Sequence, residues 1–232
     1  NPANEITQFA YTNDGLLTAL TTPKGNIYRF TYDSLGRLTK DEDPAGGYKA
    51  LSRVDSSNGY TVYLTTVMNR ANTYSVESLS TGGTKRIDTD TAGLQTVTNI
   101  GTDGSRTITS PDGTIINQVE GPDPRFSMQA PIISSLKITT PAGLVSNLSS
   151  TRTVTLSDEF NPLSLITLTD TTTINSKTYT STYDAVLKKI TSTSPVGRQR
   201  FALLDNKGRI SQEQIVGLNP VSYEYDAQGR LS

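Results

Sequence analysis

Residues 28–47, YRFTYDSLGRLTKDEDPAGG, contain the alternation and the turn residues from which the fold of the whole chain follows. Tyr28, Phe30 and Tyr32 occupy every second position, and successive side chains of a β-strand point to opposite faces. The three rings therefore share one face of a strand, whereas a helix would scatter them. The stretch predicts a β-strand that opens a hairpin.

Two turns follow this strand. Asp33 can accept backbone hydrogen bonds at the head of a turn, and Gly36 can adopt the left-handed conformation that closes a hairpin loop of three or four residues. Pro44 fixes φ for the first central position of a second turn, and Gly46 supplies the permissive position that such a turn needs. The stretch therefore predicts one hairpin and the turn into the next.

The same pattern recurs near both ends of the chain at a step of 21 residues. In its first copy Tyr11 precedes Pro23 by the same interval as Tyr32 precedes Pro44. The copies begin at Tyr11, Tyr32, Tyr183, Leu204 and Tyr225. A period of this length is typical of repeat proteins, in which one unit is too small to bury its apolar face without its neighbours.

The alignment of the copies also predicts backbone conformation. Gly36 and Gly229 occupy the same turn position, so we expect both to have a positive φ. Replacing either with valine should therefore cost about 1 to 2 kcal/mol, whereas the same change at Gly82 or Gly83, which lie outside the motif, need not.

The repeated motif resembles the YD repeat of the Rhs family, which includes bacterial Rhs polymorphic toxins, the shell-forming subunits of insecticidal toxin complexes and, more distantly, the teneurins. The signature Tyr-Asp-x-x-Gly-Arg-Leu is complete at residues 32–38 and 225–231, and it is looser at Tyr11, Tyr183 and Leu204. The likeness is close at both ends of the chain and patchy over residues 48–182.

The resemblance implies an all-β fold in which consecutive antiparallel hairpins form a long, twisted and curling sheet, part of a spiral shell. In the family such a shell encloses a toxic polypeptide until delivery, and a C-terminal core with a self-cleaving pair of carboxylates releases it. We identify no counterpart of that core in this sequence. The resemblance therefore implies a non-catalytic segment of shell wall, secreted or at the cell surface, whose partners are further YD repeats and an enclosed cargo or toxin domain of the same polypeptide.

The middle of the chain contains altered copies of the motif. Residues 89–94 keep the aspartate and the glycine, whereas in residues 158–161 Asn161 stands at the glycine position. In the Tyr183 copy Leu187 replaces the glycine and the next apolar residue moves to Ile190, so we expect a longer or bulged turn there. Turn residues recur every eight to twelve positions, which favours consecutive antiparallel strands.

The composition excludes several classes of site. The chain has 21 basic and 22 acidic residues, so nothing predicts binding to nucleic acid or insertion into a membrane. It has no cysteine for disulfides or thiolate metal sites, and no histidine for the usual general base, a zinc site or a Ser-His-Asp arrangement. Neither an apolar run of transmembrane length nor a signal-peptide pattern occurs.

Acidic residues are the remaining candidates for catalysis or metal binding. Residues 41–43, Asp-Glu-Asp, and the pair Asp88 and Asp90 lack the spacing of a calcium loop, so we interpret them as solvated carboxylates at turns and strand ends. A glycosidase needs only two carboxylates, but the sequence singles out no pair. We therefore predict no enzyme activity, no cofactor, and no catalytic, cofactor-binding or metal-binding residues.

The recurring tyrosines have two interpretations. Packed against neighbouring hairpins they form cross-strand pairs worth roughly 0.2 to 1 kcal/mol each, and exposed in rows they would stack on sugars. Because they recur in register with the turns, the packing interpretation is favoured. The arginine after the turn glycine, Arg37 or Arg230, is likewise interpreted as the partner of a nearby carboxylate or carbonyl group.

We expect residues 1–232 to form a single repeat region and to be a piece of a longer repeat array, because residues 225–232 stop just after a hairpin turn. Residues 59–67 and 163–168 are further predicted strands. The proline-rich residues 121–131 predict a flexible connector between two groups of strands.

A second function is compatible with the same pattern. In this alternative the sheet is a cell-surface adhesion module that binds carbohydrate, another protein or a surface receptor through rows of tyrosine and threonine. It predicts a contiguous exposed aromatic patch.

Overall fold

The computed structural model describes residues 5–232, and that range contains nineteen β-strands and no helix. The predicted all-β fold is confirmed. In chain order the strands are β1 (Gln8–Tyr11), β2 (Leu17–Thr21), β3 (Ile27–Tyr32), β4 (Leu38–Glu42), β5 (Tyr48–Ser56), β6 (Gly59–Thr66), β7 (Ala71–Ser78), β8 (Thr84–Thr89), β9 (Gln95–Ile100), β10 (Arg106–Thr109), β11 (Ile115–Asp123), β12 (Ser127–Thr139), β13 (Val145–Leu156), β14 (Leu165–Ile174), β15 (Lys177–Asp184), β16 (Lys189–Thr193), β17 (Gln199–Leu204), β18 (Ile210–Ile215) and β19 (Val221–Ser222).

The chain forms two compact units. The first extends through Asp103 and includes Ile108–Gly113, and the second comprises Gly104–Thr107 and Thr114–Ser232. The first unit thus contains β1 to β9 and the second contains β11 to β19, while β10 contributes residues to both. The expectation of a single repeat region stays a prediction.

In the first unit each strand from β2 to β9 pairs in antiparallel fashion with the strand before it. The register shifts by one residue between Ala10 and Tyr11, and again between Thr31 and Tyr32. Such a bulge is expected where a type I turn is followed by a residue in the left-handed conformation. The prediction of consecutive hairpins is confirmed in this unit.

The second unit has the same construction from β11 to β19. Its bulge between Leu203 and Leu204 repeats the bulges of the first unit. Along β13 exposed and half-buried residues alternate over all 12 positions, which is the pattern of a strand whose two faces differ. Threonine, which is frequent here, favours strands because its branched side chain packs well on a pleated surface.

Very few side chains are buried. Within residues 5–232 the only buried apolar residue is Ala202, which is 8% exposed, and the only buried polar residue is Asp123, which is 3% exposed. The sheet of each unit is therefore stabilised by ladders of backbone hydrogen bonds and by cross-strand pairs rather than by a closed hydrophobic core.

Residues 121–131 lie in the hairpin that joins β11 to β12. Asp123 pairs with Ser127, which has a positive φ of 53°. The Asp123 carboxylate accepts hydrogen bonds from the backbone N–H groups of Arg125 and Phe126 at 2.7 and 3.2 Å. The segment is thus a hydrogen-bonded turn, and its flexibility stays a prediction.

One of the two further strand predictions needs correction. β6 ends at Thr66, close to the predicted end, but β14 begins at Leu165 instead of Leu163 and continues to Ile174 instead of ending at Leu168. The reason for the later start is that Leu163 and Ser164 belong to the preceding turn, in which Leu163 N–H donates to the Asn161 side chain and Ser164 N–H to the Asn161 carbonyl group.

Candidate functional site

The Asp33 turn shows how the repeated motif closes a hairpin. The Gly36 N–H donates to the Asp33 carbonyl oxygen at 3.0 Å, and the Asp33 N–H donates to the Arg37 carbonyl oxygen at 2.9 Å. One oxygen of the Asp33 carboxylate accepts the N–H groups of Leu35 and Arg37, at 2.9 and 3.0 Å. The other oxygen accepts Nε of Arg37 at 2.7 Å. The aspartate therefore stabilises the turn by binding its backbone N–H groups, and the arginine side chain pairs with the same carboxylate.

The same arrangement, which we call the Asp–Arg turn, recurs in the last two copies of the motif. The carboxylates of Asp205 and Asp226 each accept hydrogen bonds from two backbone N–H groups at 2.8 to 3.0 Å. Each also accepts one from the Nε of the next arginine, Arg209 or Arg230, at 2.7 Å. The predicted positive φ is present at Gly36 (76°) and Gly229 (83°). The prediction that Arg37 and Arg230 bind a nearby carboxylate is confirmed.

These contacts stabilise the charged form of each aspartate. The pKa values of Asp33, Asp205 and Asp226 therefore lie below their usual range. The largest cause is the hydrogen bond from the backbone N–H of the arginine at the end of the turn, and the guanidinium of the same arginine lowers the pKa further. The carboxylates therefore bind the backbone and the arginine of their own turns.

Other turns use the same backbone geometry without the arginine. Asp43 and Asp90 each accept two N–H groups, at 2.8 to 3.0 Å, ahead of glycines with φ of 86° and 81°. In further turns a hydroxyl oxygen replaces the carboxylate and accepts a hydrogen bond from the N–H four residues later. These hydroxyl turns are headed by Thr12, Thr22, Thr66, Thr140 and Ser194. The two bonds accepted by Asp90 and the positive φ of Gly93 confirm the altered copy of the motif predicted at residues 89–94.

Two copies depart from this geometry. After Asp184 the loop has four residues before Lys189, and Lys188 has a positive φ of 49°, which confirms the longer turn predicted where Leu187 replaces glycine. At Asp158 the Asn161 N–H still donates to the Asp158 carbonyl oxygen, but the turn closes only at Ser164.

Gly82 also has the left-handed conformation, although no motif in the sequence required it there. Gly82 has a φ of 85° because its N–H closes a turn of the same type on the Leu79 carbonyl oxygen. The backbone geometry of the turn is therefore more widespread than the aspartate motif that predicted it.

Two tyrosines tie successive copies of the motif together. Tyr32 donates from its hydroxyl to the carbonyl oxygen of Leu17 at 2.7 Å, and Tyr225 donates in the same way to Ile210 at 2.8 Å. The acceptor lies 15 residues earlier in both cases. The packing interpretation is confirmed for these two tyrosines, whereas Tyr11 is 59% exposed.

The surroundings of the two complete motifs also correspond. A Cβ atom on Gly36 would lie 3.6 Å from Cδ1 of Leu16, and one on Gly229 would lie 3.3 Å from a terminal nitrogen of Arg209. Leu16 and Arg209 both follow the turn glycine of the preceding copy. The Arg209 guanidinium in addition lies 4.1 Å from the centre of the Tyr225 ring, a favourable cation–π distance.

The acidic residues considered for metal binding are dispersed. Asp43 heads a turn, and Glu42 pairs with Lys40 at 2.6 Å, which lowers the Glu42 pKa. Asp88 lies within β8, while Asp90 heads the next turn. Over residues 5–232 no three carboxylates come together in a group that would hold a metal ion.

One charged cluster was not foreseen from the sequence. Arg152 in β13 donates to Asp170 in β14 through two hydrogen bonds of 2.7 and 2.9 Å, and to the buried Asp123 at 2.9 Å. Arg125 lies 3.8 Å from the same Asp123 carboxylate. The cluster joins β11, β13 and β14 through residues that are 18 and 29 positions apart in the sequence.

Burial and charge compete in this cluster. Burial alone would raise the Asp123 pKa, but the N–H of Arg125, the Arg152 guanidinium and the N–H of Phe126 outweigh it, so the Asp123 pKa is lowered. Hydrogen bonds to Asp170 and then to Asp123 raise the Arg152 pKa. The cluster is a set of stable ion pairs, which suits it to hold strands together.

No helix of the described residues is long and apolar enough to cross a membrane.

The comparison with known proteins gives one family. A family model described as Teneurin YD-shell matches residues 1–232. No curated protein sequence matches the chain. Crystal structures of TcdB2-TccC3 and of TcdB2-TccC3-TEV are similar to it at 11% sequence identity, with TM-scores of 0.26 and 0.25. Each of these alignments covers 97% of this chain and 17% of the solved one, so the chain spans about a sixth of their length.

Proposed function

The chain belongs to the Teneurin YD-shell family, and from that premise we propose that it is a non-catalytic segment of shell wall that helps to enclose another part of the same polypeptide. Membership of the family confirms the resemblance to YD-repeat proteins, and the role that the family model names is structural. Enclosure of a cargo, and a place outside the cell or on its surface, are parts of the proposal.

One observation carries the proposal. The described residues form consecutive strands of antiparallel sheet, yet Ala202 is the only apolar residue among them that is buried. An enzyme domain of this length normally excludes water from a core and positions its catalytic groups on it. A sheet without such a core is suited to be a wall, because its backbone is paired while its two faces are left to contact other parts of an assembly.

The repeat geometry supports the same role. Each Asp–Arg turn satisfies the backbone at the margin of the sheet, and the bonds from Tyr32 and Tyr225 fasten a turn to the previous copy. A wall must resist local opening, since proteases attack segments that are transiently unfolded. The further YD repeats and the cargo are therefore the partners that we propose for the chain.

Protease accessibility in the intact protein tests the proposal. One variant carries a protease recognition sequence in the proposed cargo, and a second carries the same sequence between Ser34 and Leu35, in the exposed loop of the Asp33 turn. We expect cleavage in the cargo to be slower than in the turn by about a hundredfold or more, because the cargo site becomes accessible only when the wall opens.

The cargo expressed without the wall is the control, and there the same site should be cut rapidly. Equal cleavage rates of the cargo with and without the wall would contradict enclosure.

A further inference from the structure

A hollow of about 440 Å³ lies on one face of the second unit, over strands β14 to β18. Its floor follows one row of directly paired residues across five strands. The row runs through Asp170, Ser181, Ser192, Arg200 and Ile215. Because Ser181 and Ser192 have the smallest side chains of the row and stand at its centre, the larger neighbours on both sides form walls around a depression.

An adjacent row on the same face extends the hollow. Thr172 pairs with Tyr179, two positions from the Asp170–Ser181 pair, and Ser194 and Arg198 line the hollow beside them. Beyond Tyr179 the depression continues toward Lys177 and Val196, over a further volume of about 610 Å³. The ring of Tyr179 is 43% exposed and lines both parts.

The charges around the hollow are unequal. Asp170 is paired with Arg152 at 2.7 Å, and Arg200 is paired with Glu213. Lys177 and Arg198 are both exposed, and the ion pairs of the described residues include neither of them. Two cations without a carboxylate partner therefore remain at the part of the hollow where Tyr179 lies.

Apolar side chains accompany these cations. Val196 is 76% exposed and Ile215 is 53% exposed, and each lines one part of the depression. Tyrosine and arginine, which lie beside these aliphatic side chains, are enriched at the energetically dominant centre of protein interfaces.

We propose that this hollow is a docking site for an extended acidic segment of another protein, whose carboxylates bind Lys177 and Arg198 and whose apolar side chains contact Tyr179 and Ile215. An arginine binds a carboxylate through two parallel hydrogen bonds, which gives Arg198 the larger share of the specificity. The proposal stands apart from the shell-wall function and does not depend on it.

The mode of binding follows from the position of the hollow within the sheet. Strands β15 to β17 are paired on both sides, so their backbone N–H and C=O groups are used and a partner cannot add as an extra strand. Recognition must therefore go through side chains, which is why unpaired cations and exposed apolar groups decide the partner.

Fluorescence anisotropy on the intact protein tests the proposal with a short labelled peptide of glutamate, aspartate and leucine. We expect saturable binding that weakens as salt is added, because exposed charges are screened. Arg198→Ser and Tyr179→Ala should each weaken binding by about tenfold or more, and Ser192→Trp should block it by filling the hollow. Arg198→Lys should lose less affinity than Arg198→Ser, because lysine keeps the charge but not the two parallel hydrogen bonds. Equal losses in the two variants would instead indicate damage to the fold.

The matched controls are Arg86→Ser and Tyr63→Ala, since both replace exposed residues of the first unit. They should leave binding unchanged. The same peptide with glutamine in place of its acidic residues should not bind. Absence of binding by the intact protein, equal binding of the glutamine peptide, or unchanged affinity in the Arg198→Ser and Tyr179→Ala variants would each overturn the proposal. Tighter binding of a sulfated disaccharide at the same residues would also overturn it, in favour of a saccharide ligand.

Discussion

The Tyr32 hydroxyl in β3 donates a hydrogen bond of 2.7 Å to the carbonyl oxygen of Leu17 in β2. Leu17 comes just after the turn headed by Thr12, and Tyr32 comes just before the Asp33 turn. The bond therefore fastens the turns of two successive copies of the motif at the same margin of the sheet. Tyr225 and Ile210 repeat it near the other end of the chain.

Tyr32→Phe and Tyr225→Phe should each lower the free energy of unfolding by about 0.5 to 1.5 kcal/mol, because each removes one intramolecular hydrogen bond and leaves the ring in place. Urea denaturation measures the loss, and faster hydrogen exchange of the adjacent turn amides would locate it. Tyr63→Phe is the control, since its exposed side chain makes no such bond within residues 5–232. Equal losses at all three positions would argue against a special role of the inter-turn bond.

The Asp–Arg turns predict a dependence of stability on pH. Since the folded-state pKa values of Asp33, Asp205 and Asp226 are lowered, their contribution is fully present above the unfolded value of about 4 and is lost as the pH falls through the folded values. We expect the melting temperature to be steady from neutral pH to about pH 5 and to fall below about pH 4.

The variant with all three aspartates replaced by asparagine should show a smaller fall of the melting temperature in acid. Asp41→Asn is the matched control, because Asp41 lies within β4 and heads no turn. An unchanged acid transition in the triple variant would show that other carboxylates cause it.

Gly36→Val should lower the free energy of unfolding by about 1 to 2 kcal/mol, because valine rarely adopts a positive φ. Crowding is not the cause, since the nearest side-chain atom would lie 3.6 Å from a Cβ at this position. Gly229→Val should cost a similar amount, since its φ is also positive. Gly82→Val should cost more, because a Cβ there would in addition lie 3.0 Å from the methyl group of Thr102.

Gly36→Asn provides the contrast. Asn69 already occupies the corresponding position of the turn headed by Thr66, with a φ of 56°. Asparagine should therefore cost clearly less than valine at position 36 in the same denaturation experiment. If the two substitutions were equally harmful, side-chain volume and not φ would be the cause.

Arg152→Met should lower the free energy of unfolding by about 1 to 3 kcal/mol, because Asp123 is left buried without its partner. The loss should be smaller than in a deep protein interior, since solvent lies close to both faces of a sheet. Adding Asp123→Asn should recover part of it, because the uncompensated charge is then removed.

Arg106→Met is the control for that experiment. Its pair with Glu120 spans 3.5 Å and its side chain is exposed, so we expect a change of at most about 0.5 kcal/mol. Failure of Asp123→Asn to recover any stability would show that the loss at Arg152 comes from packing and not from charge.

The sequence predicts the turns well because their chemistry is local. At Asp33 the acceptor, the glycine and the arginine all lie within five consecutive residues, so the motif contains every group that makes the turn. Gly82 shows the limit of this reasoning. Its turn needs only the backbone and one glycine, and no aspartate marks it in the sequence.

The cluster around Arg152 was missed because its partners are 29 and 18 residues away. Its position depends on the register of β13 with β14, in which Arg152 stands directly opposite Asp170. No local pattern encodes that register. The hollow over Ser181 and Ser192 was missed for the same reason, since the two serines form a depression only because the strand register places them side by side.

The step of 21 residues has a consequence for how such a chain changes over generations. One step contains two strands, two turns and the accompanying bulge, so gain or loss of a whole step by gene duplication or deletion leaves every remaining side chain on its original face. A single inserted codon within a strand would instead invert the faces of all residues up to the next turn. In the stretches that keep this step, length differences between lineages should therefore be whole multiples of it.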